Sequence, residues 1–158
     1  MSLDRAYALA GVNKPLALHE AYCELEQPIF VSREWDYNNP YQLHNWIKEE
    51  LEDINFSKLS EEECVWCREI LWFWYHHAIS CAIWKNDRVA AQVYSMGALY
   101  YQEDGHPNQI TRLLYYIAHD RLDEAKAWAA NITDEDEGPT AIDIISWYEQ
   151  GLFLGPPE

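Results

Sequence analysis

Basic side chains are scarce in this chain: 11 Lys and Arg stand against 27 Asp and Glu, leaving a net charge of −16. Phosphate recognition needs a basic footprint, so direct nucleic-acid binding is excluded as a function class, and an anionic membrane surface is disfavoured for the same reason. No apolar run approaches the ~18 residues of a membrane span, and no basic-then-apolar leader opens the chain, so a cytoplasmic protein is expected. The sequence also lacks a glycine-rich phosphate loop, a G-x-S-x-G elbow, an H-E-x-x-H pair and a calcium loop with its glycine and terminal Glu. Glycine–aspartate hairpin signals and alternating apolar runs of strand length are missing too, which leaves an all-α fold.

What is present is ample apolar material. Hydrophobic residues make up 49 % of the 158 positions and aromatics 15 %, enough to offset the ordering entropy that keeps disordered chains unfolded. That length fits one domain, read as residues 1–158 with an N-terminal segment at 1–15 and an irregular tail at 153–158. The four cysteines (Cys23, Cys64, Cys67, Cys81) are expected as reduced thiols in the cytosol.

Six or seven helices are expected. "LALHEAYCELE" (16–26) has helical composition, and the stretch bracketed by Pro28 and Pro40 reads as an ordered loop. Asn39 as N-cap, Pro40 and Gln42 mark the start of a second helix, whose Leu43, Trp46, Ile47, Leu51 and Ile54 recur at inward spacing. Ser60 with Glu63 forms a capping-box signature that opens a long helix over 61–85. Val89, Val93, Met96 and Tyr100 read as the buried stripe of a fourth helix that stops near Gly105 and Pro107. A fifth runs from Asn108 to Ala118, a sixth over "LDEAKAWAANI", and a last one begins at a cap formed by Thr140 and Asp143.

"IWKNDRVAAQVYSM" and "YIAHDRLDEAKAWA" align at an offset of 33, placing Asp87-Arg88 over Asp120-Arg121 at two helix-to-helix turns. Repeats of this length accompany stacked helical hairpins. The phrase "HDRLDEAKAWA" is similar to the second helix of a tetratricopeptide repeat. That resemblance covers one hairpin and lacks the family's early Trp, its Gly-Tyr positions and its terminal Pro. It implies an architecture and carries over no binding residue.

The stretch "SEEECVWCREILWFWYHHAISC" concentrates the reactive side chains. On a helix, Cys64, Cys67, Leu71, Trp74, Ala78 and Cys81 fall on one stripe, which is a buried-face pattern. Cys81 lies ~21 Å along the axis from Cys67, too far to share a zinc ion, and His76 and His77 point about 100° apart. A metal site would need Cys23 or His19 from elsewhere to join Cys64 and Cys67. Mid-helix thiols on a core stripe lack the environment that activates a nucleophile, and Glu61, Glu62 and Glu63 disfavour a thiolate at Cys64. Glu103 and His106 match di-iron spacing but sit in a Gly-Pro loop. The expectation is a protein without catalytic activity and without a cofactor.

Charge and aromatic surplus remain. Glu49, Glu50, Glu52 and Asp53 lie on one side of a short turn and Glu61, Glu62 and Glu63 on the other, so they are expected to form one focused negative patch, with Trp35, Tyr37 and Tyr41 as exposed aromatic candidates. The function expected is an acidic protein–protein interaction module that occupies the basic, nucleic-acid-binding surface of a partner protein. Glu49, Glu50, Glu52, Asp53, Glu61, Glu62 and Glu63 would steer association, with Trp35 and Tyr37 as anchors. Two alternatives stand beside it: a helical-repeat scaffold that holds a peptide segment, and a metal-dependent enzyme using Cys23, Cys64, Cys67 and a His. An exposed aromatic surface fits a homodimer interface equally well.

Overall fold

The computed structural model describes residues 36–39 and 43–151. Their helices are α1 (Leu43–Glu52), α2 (Glu61–Trp84), α3 (Arg88–Tyr101), α4 (Ile110–Ala118), α5 (Leu122–Ala130) and α6 (Glu137–Glu149), with a 3-10 turn at Phe56–Lys58 and no strand among the described residues. The protein is all-α, as its patterning requires. The helix expected over 16–26, and Pro40 and Gln42 of the second cap, lie outside the described residues.

Helix α2 is the axis of the structure, in contact with α1, α3 and α4. Its start is set locally: the Glu63 N–H donates to Ser60 Oγ (3.2 Å) and the Ser60 N–H to Glu63 Oε1 (3.1 Å), a complete capping box. Three carboxylates in its first turn suit the positive end of the helix dipole. Cys67, Leu71, Trp74, Ala78 and Cys81 are buried along one stripe, as expected, and Ile70, Trp72, Ile79, Ala82 and Ile83 extend burial around the helix. A helix apolar on so much of its circumference has to be surrounded by neighbours.

One neighbour is α1, which buries Trp46, Ile47 and Leu51, while Ile54 just beyond it packs on the core. Asn45 fastens its start: Nδ2 donates to the carbonyls of Asp36 and Asn39 (both 2.8 Å), and Oδ1 accepts from Trp74 Nε1 (3.0 Å).

Helix α3 packs on α2 with the face opposite to the one expected. Val89, Val93, Met96 and Tyr100 are exposed, and Ala91, Ser95 and Ala98 are buried. The physical reason is proximity. Gly97 and these small residues let α3 lie close against α2, an approach that valine, methionine and tyrosine side chains would hold open.

The turns after α2 and α4 are the same structure. Lys85 and His119 cap the helices, and Asn86 (φ 57°) and Asp120 (φ 58°) follow in the left-handed region. The Asn86 and Asp87 N–H groups donate to the carbonyls of Ile83 and Ala82, and those of Asp120 and Arg121 to Ile117 and Tyr116, at 3.0 and 2.8 Å in both cases. These are Schellman caps. Equivalent residues stand 34 positions apart, so the register shifts by one from the alignment of Asp87-Arg88 on Asp120-Arg121. The hairpins α2–α3 and α4–α5 thus turn alike, and α4 contacts both α2 and α6 in a stacked order.

The start of α4 is held by Asn108, whose Oδ1 accepts from the N–H groups of Ile110 and Thr111 (2.9 and 3.0 Å). Helix α6 starts earlier than the Thr140–Asp143 cap expected from the sequence. Asp134 Oδ1 accepts from the Asp136 and Glu137 N–H groups (both 2.9 Å), so Pro139 falls in the first turn, where its missing N–H costs nothing. Thr140 lies within the helix and donates to the Asp136 carbonyl.

Candidate binding surface

Of the acidic residues singled out from the sequence, Glu49, Glu52 and Glu63 already have partners within the chain. Glu52, at the end of α1, accepts from the Tyr75 hydroxyl and pairs with Lys48 Nζ at 3.0 Å. Lys48 also lies 3.3 Å from Glu49 and sits over the Trp74 ring, 4.7 Å from its centroid. Burial first, then the Glu52 carboxylate, holds the Tyr75 phenol far above its ordinary range, so it stays a hydrogen-bond donor.

Tyr75 lies 12 residues, or ~18 Å of helix axis, from Glu63. Arg68 intervenes, its guanidinium 5.6 Å from the Phe56 ring centroid, and it lines the same cleft of about 270 Å³ as Glu52. Glu63 is used in the capping box, whereas Glu49, Asp53, Glu61 and Glu62 are exposed and Glu50 is half-buried.

The aromatic anchors also change. Trp35 and Tyr41 lie outside the described residues. Tyr37 is not exposed: it is 7 % accessible, its hydroxyl donates to Asp87 Oδ2 (3.0 Å), and its ring meets that of Tyr94 edge-on. Burial, followed by the Asp87 carboxylate, raises its phenol well above the ordinary value. Its partner is 50 positions away in the chain, which the local sequence gives no means of seeing.

A second cleft, of about 410 Å³, is where carboxylates and aromatics converge. Val65, Glu69 and Trp72 line it from one face of α2, spaced by four and three residues. Tyr101 and the turn Glu103–Pro107 close the other side, with Gly105 at φ 79° allowing the reversal. Trp72 sits between two imidazoles, stacked on His76 with centroids 5.1 Å apart and tilted against His106 at 4.3 Å.

Both imidazoles have set hydrogen-bond roles. The Asn108 N–H donates to His106 Nδ1 (3.1 Å), which places the proton of the neutral ring on Nε2. His76 Nδ1 lies 2.8 Å from Thr111 Oγ1, and that hydroxyl donates onward to Asn108 Oδ1 (3.1 Å), leaving a lone pair for an Nδ1 proton. Burial, then the neighbouring His77 and His106, pushes the His76 pKa down to about 3, so it carries no charge at neutral pH. The cleft therefore presents three carboxylates, Glu69, Glu103 and Asp104, beside an aromatic wall, with no Lys or Arg among the described residues that line it. Low-dielectric walls concentrate such a field. This set accepts hydrogen bonds and favours a cation, above all a guanidinium or ammonium group.

In the sequence Glu103 and His106 stand out only by di-iron spacing, and Glu69, Trp72 and Asp104 carry no motif. Their convergence depends on how α2 and the turn after α3 close together, and the acidic pair beside Gly105 and Pro107 was the single local signal.

Cys67 and Cys81 are buried, and burial, then Cys64 and Glu63, pushes the Cys67 thiol up to about 11. Cys64 Sγ donates to the Phe56 carbonyl at 3.4 Å. Among the described residues no three His, Cys, Asp or Glu side chains cluster to hold a metal, and no helix is long and apolar enough to cross a membrane. Cys23 and His19 lie outside the described residues.

Fold and cleft define a class, an acidic stack of helical hairpins with an anionic aromatic cleft. No family model matches the chain, nor does any curated protein or solved structure.

Proposed function

We propose that this protein is a non-catalytic acidic protein–protein interaction module that occupies a basic, nucleic-acid-binding surface of a partner protein. The observation that carries the reading is the cleft, in which Glu69, Glu103 and Asp104 converge beside Trp72, Tyr101 and His106 with no Lys or Arg among the described lining residues. A partner's arginine or lysine enters it and meets carboxylates where phosphate oxygens would otherwise be. Glu61 and Glu62, exposed on the first turn of α2, add long-range attraction that raises the association rate. The partner is a basic protein rather than a nucleic acid or a membrane, because the net charge of −16 repels both of the latter. Reduced thiols at Cys64, Cys67 and Cys81 fit a cytoplasmic location.

The test is affinity capture across a salt series, comparing the native chain with a variant carrying Glu69→Lys, Glu103→Lys and Asp104→Lys, all exposed positions. The expected result is a basic nucleic-acid-handling protein that the native chain retains, that elutes as salt rises, and that the variant does not hold. Equal retention by the variant, insensitive to salt, removes the reading.

The repeated Schellman turn favours a second reading, a helical-repeat scaffold that binds a peptide segment with the charge incidental. Binding that survives high salt but is lost on Tyr101→Ala would select it.

A further inference from the structure

The exposed side of α3 is unlike the rest of the surface. Val89, Val93, Met96 and Tyr100 are 72, 57, 60 and 71 % accessible, and their spacing of four, three and four residues makes one continuous stripe ~16 Å long. Scattered exposed apolar residues are ordinary, but a contiguous row marks an interaction surface. The 14 residues of α3 include no Asp or Glu, although the chain has 27.

That absence bears on which molecule covers the stripe. Two copies of a chain with net charge −16 repel each other over most of their surfaces. The α3 face is a place where they can meet without opposing carboxylates. Its ends also differ in sign: Lys85 and Arg88 lie at the start of α3, Glu103 and Asp104 just past its end, and all four are exposed. Asp87, at the positive end, is occupied by the Tyr37 hydroxyl and the Ala90 N–H, while Lys85 Nζ lies over the Tyr37 ring at 4.7 Å and Arg88 is hydrogen-bonded to Tyr148, so both cations are held at this end of α3.

We propose that the Val89–Val93–Met96–Tyr100 stripe is a two-fold self-association surface on which α3 packs antiparallel against α3 of a second copy. The axis passes between Val93 and Met96, so Val89 meets Tyr100 of the second copy and Val93 meets its Met96. Each Lys85–Arg88 end then faces a Glu103–Asp104 end, whereas a parallel arrangement would bring four carboxylates together. The contact is isologous, so every favourable pair occurs twice. Its size, one helix face per copy, places it among small interfaces of less than about 1,200 Å² and makes the dimer weak.

Sedimentation equilibrium of the full chain, taken up to about 1 mM, reads the association directly. The expected result is a monomer–dimer equilibrium that Val93→Glu or Met96→Glu weakens at least about tenfold by desolvating a carboxylate, with unchanged circular dichroism because both side chains point outward. Asp104→Lys, an exposed position past the end of α3, is expected to weaken it about tenfold by setting a cation against each Lys85–Arg88 end. A chain that stays monomeric throughout overturns the proposal. So does a dimer indifferent to Val93→Glu and Met96→Glu, which would place the contact elsewhere. A monomer in which Met96 resists oxidation by peroxide also overturns it, and would assign the cover to the chain's own residues.

Discussion

Gly97 of α3 lies against the ring of Tyr75 on α2 so closely that a Cβ built on the glycine would stand 2.7 Å from Tyr75 Cδ1 and Cε1. The ring has little room to yield, since its hydroxyl donates to Glu52 and its face stacks on Tyr101 with centroids 5.8 Å apart. Gly97→Ala is therefore expected to destabilise the fold by about 1–2 kcal/mol, the overpacking cost exceeding the roughly 1 kcal/mol of helix propensity that alanine contributes. Urea unfolding measures it. A stabilised variant would mean that α2 and α3 lie further apart than described.

Asn45 joins three elements through one buried amide, 3 % accessible. Asn45→Ala takes the Oδ1 acceptor from the Trp74 Nε1–H and the Nδ2 donor from the Asp36 and Asn39 carbonyls, so a loss of about 2–4 kcal/mol is expected. Asn45→Asp keeps the acceptor for Trp74 and removes both donors. If the alanine variant unfolds at the native urea midpoint, the amide does not fasten α1.

His76 and His77 make stability depend on pH. Burial holds His77 down to about 4, and burial with His77 and His106 holds His76 down to about 3. Between those values and the ordinary histidine value near 6.5, the unfolded chain binds protons that the folded chain refuses. Stability is thus complete above about pH 6.5 and falls as pH drops below it, by roughly 2–3 kcal/mol for the two residues together between pH 7.5 and 5.5. His76→Asn, which keeps a donor near Thr111, should remove about half of that slope. An unfolding free energy equal at the two pH values would show that these imidazoles titrate normally.

The parts of this structure that could be read from the sequence are those decided by near neighbours. Ser60 and Glu63 announce the start of α2 because the capping box closes within four residues, and the stripe from Cys67 to Cys81 shows itself by period. Helix α3 shows why period alone is insufficient. It carries two stripes at helical spacing, one of large residues and one of small, and ranking by size selects Val89 to Tyr100. Packing selected Ala91, Ser95 and Ala98, because helix approach distance rather than side-chain hydrophobicity set the contact. Charge is legible only as composition: the sequence does not show that Lys48 and Tyr75 engage Glu52 against the middle of α2. The cleft at Trp72 combines residues from α2 and the turn after α3, so no single window contains it.

The two Schellman turns share a geometry but differ in what their left-handed residues do. Asn86 supplies a tolerated φ of 57°, so Asn86→Gly is expected to fall within about 0.5 kcal/mol of the native chain, whereas Asn86→Ala loses about 1 kcal/mol to Cβ crowding. Asp120, at φ 58°, also accepts a hydrogen bond from the Tyr148 hydroxyl on α6. Glycine there relieves the backbone and gives up that tie, so Asp120→Gly is expected to cost about 0.5–1 kcal/mol net. Urea titrations of the three variants separate the two contributions. Equal stability of Asn86→Gly and Asn86→Ala would show that the turn does not hold its left-handed residue in solution. A stabilising Asp120→Gly would show that the Tyr148 tie contributes nothing, leaving the Lys126–Glu149 ion pair (2.8 Å) and the Gln109 N–H donated to Glu137 Oε2 (2.7 Å) as the polar links from the second hairpin to α6.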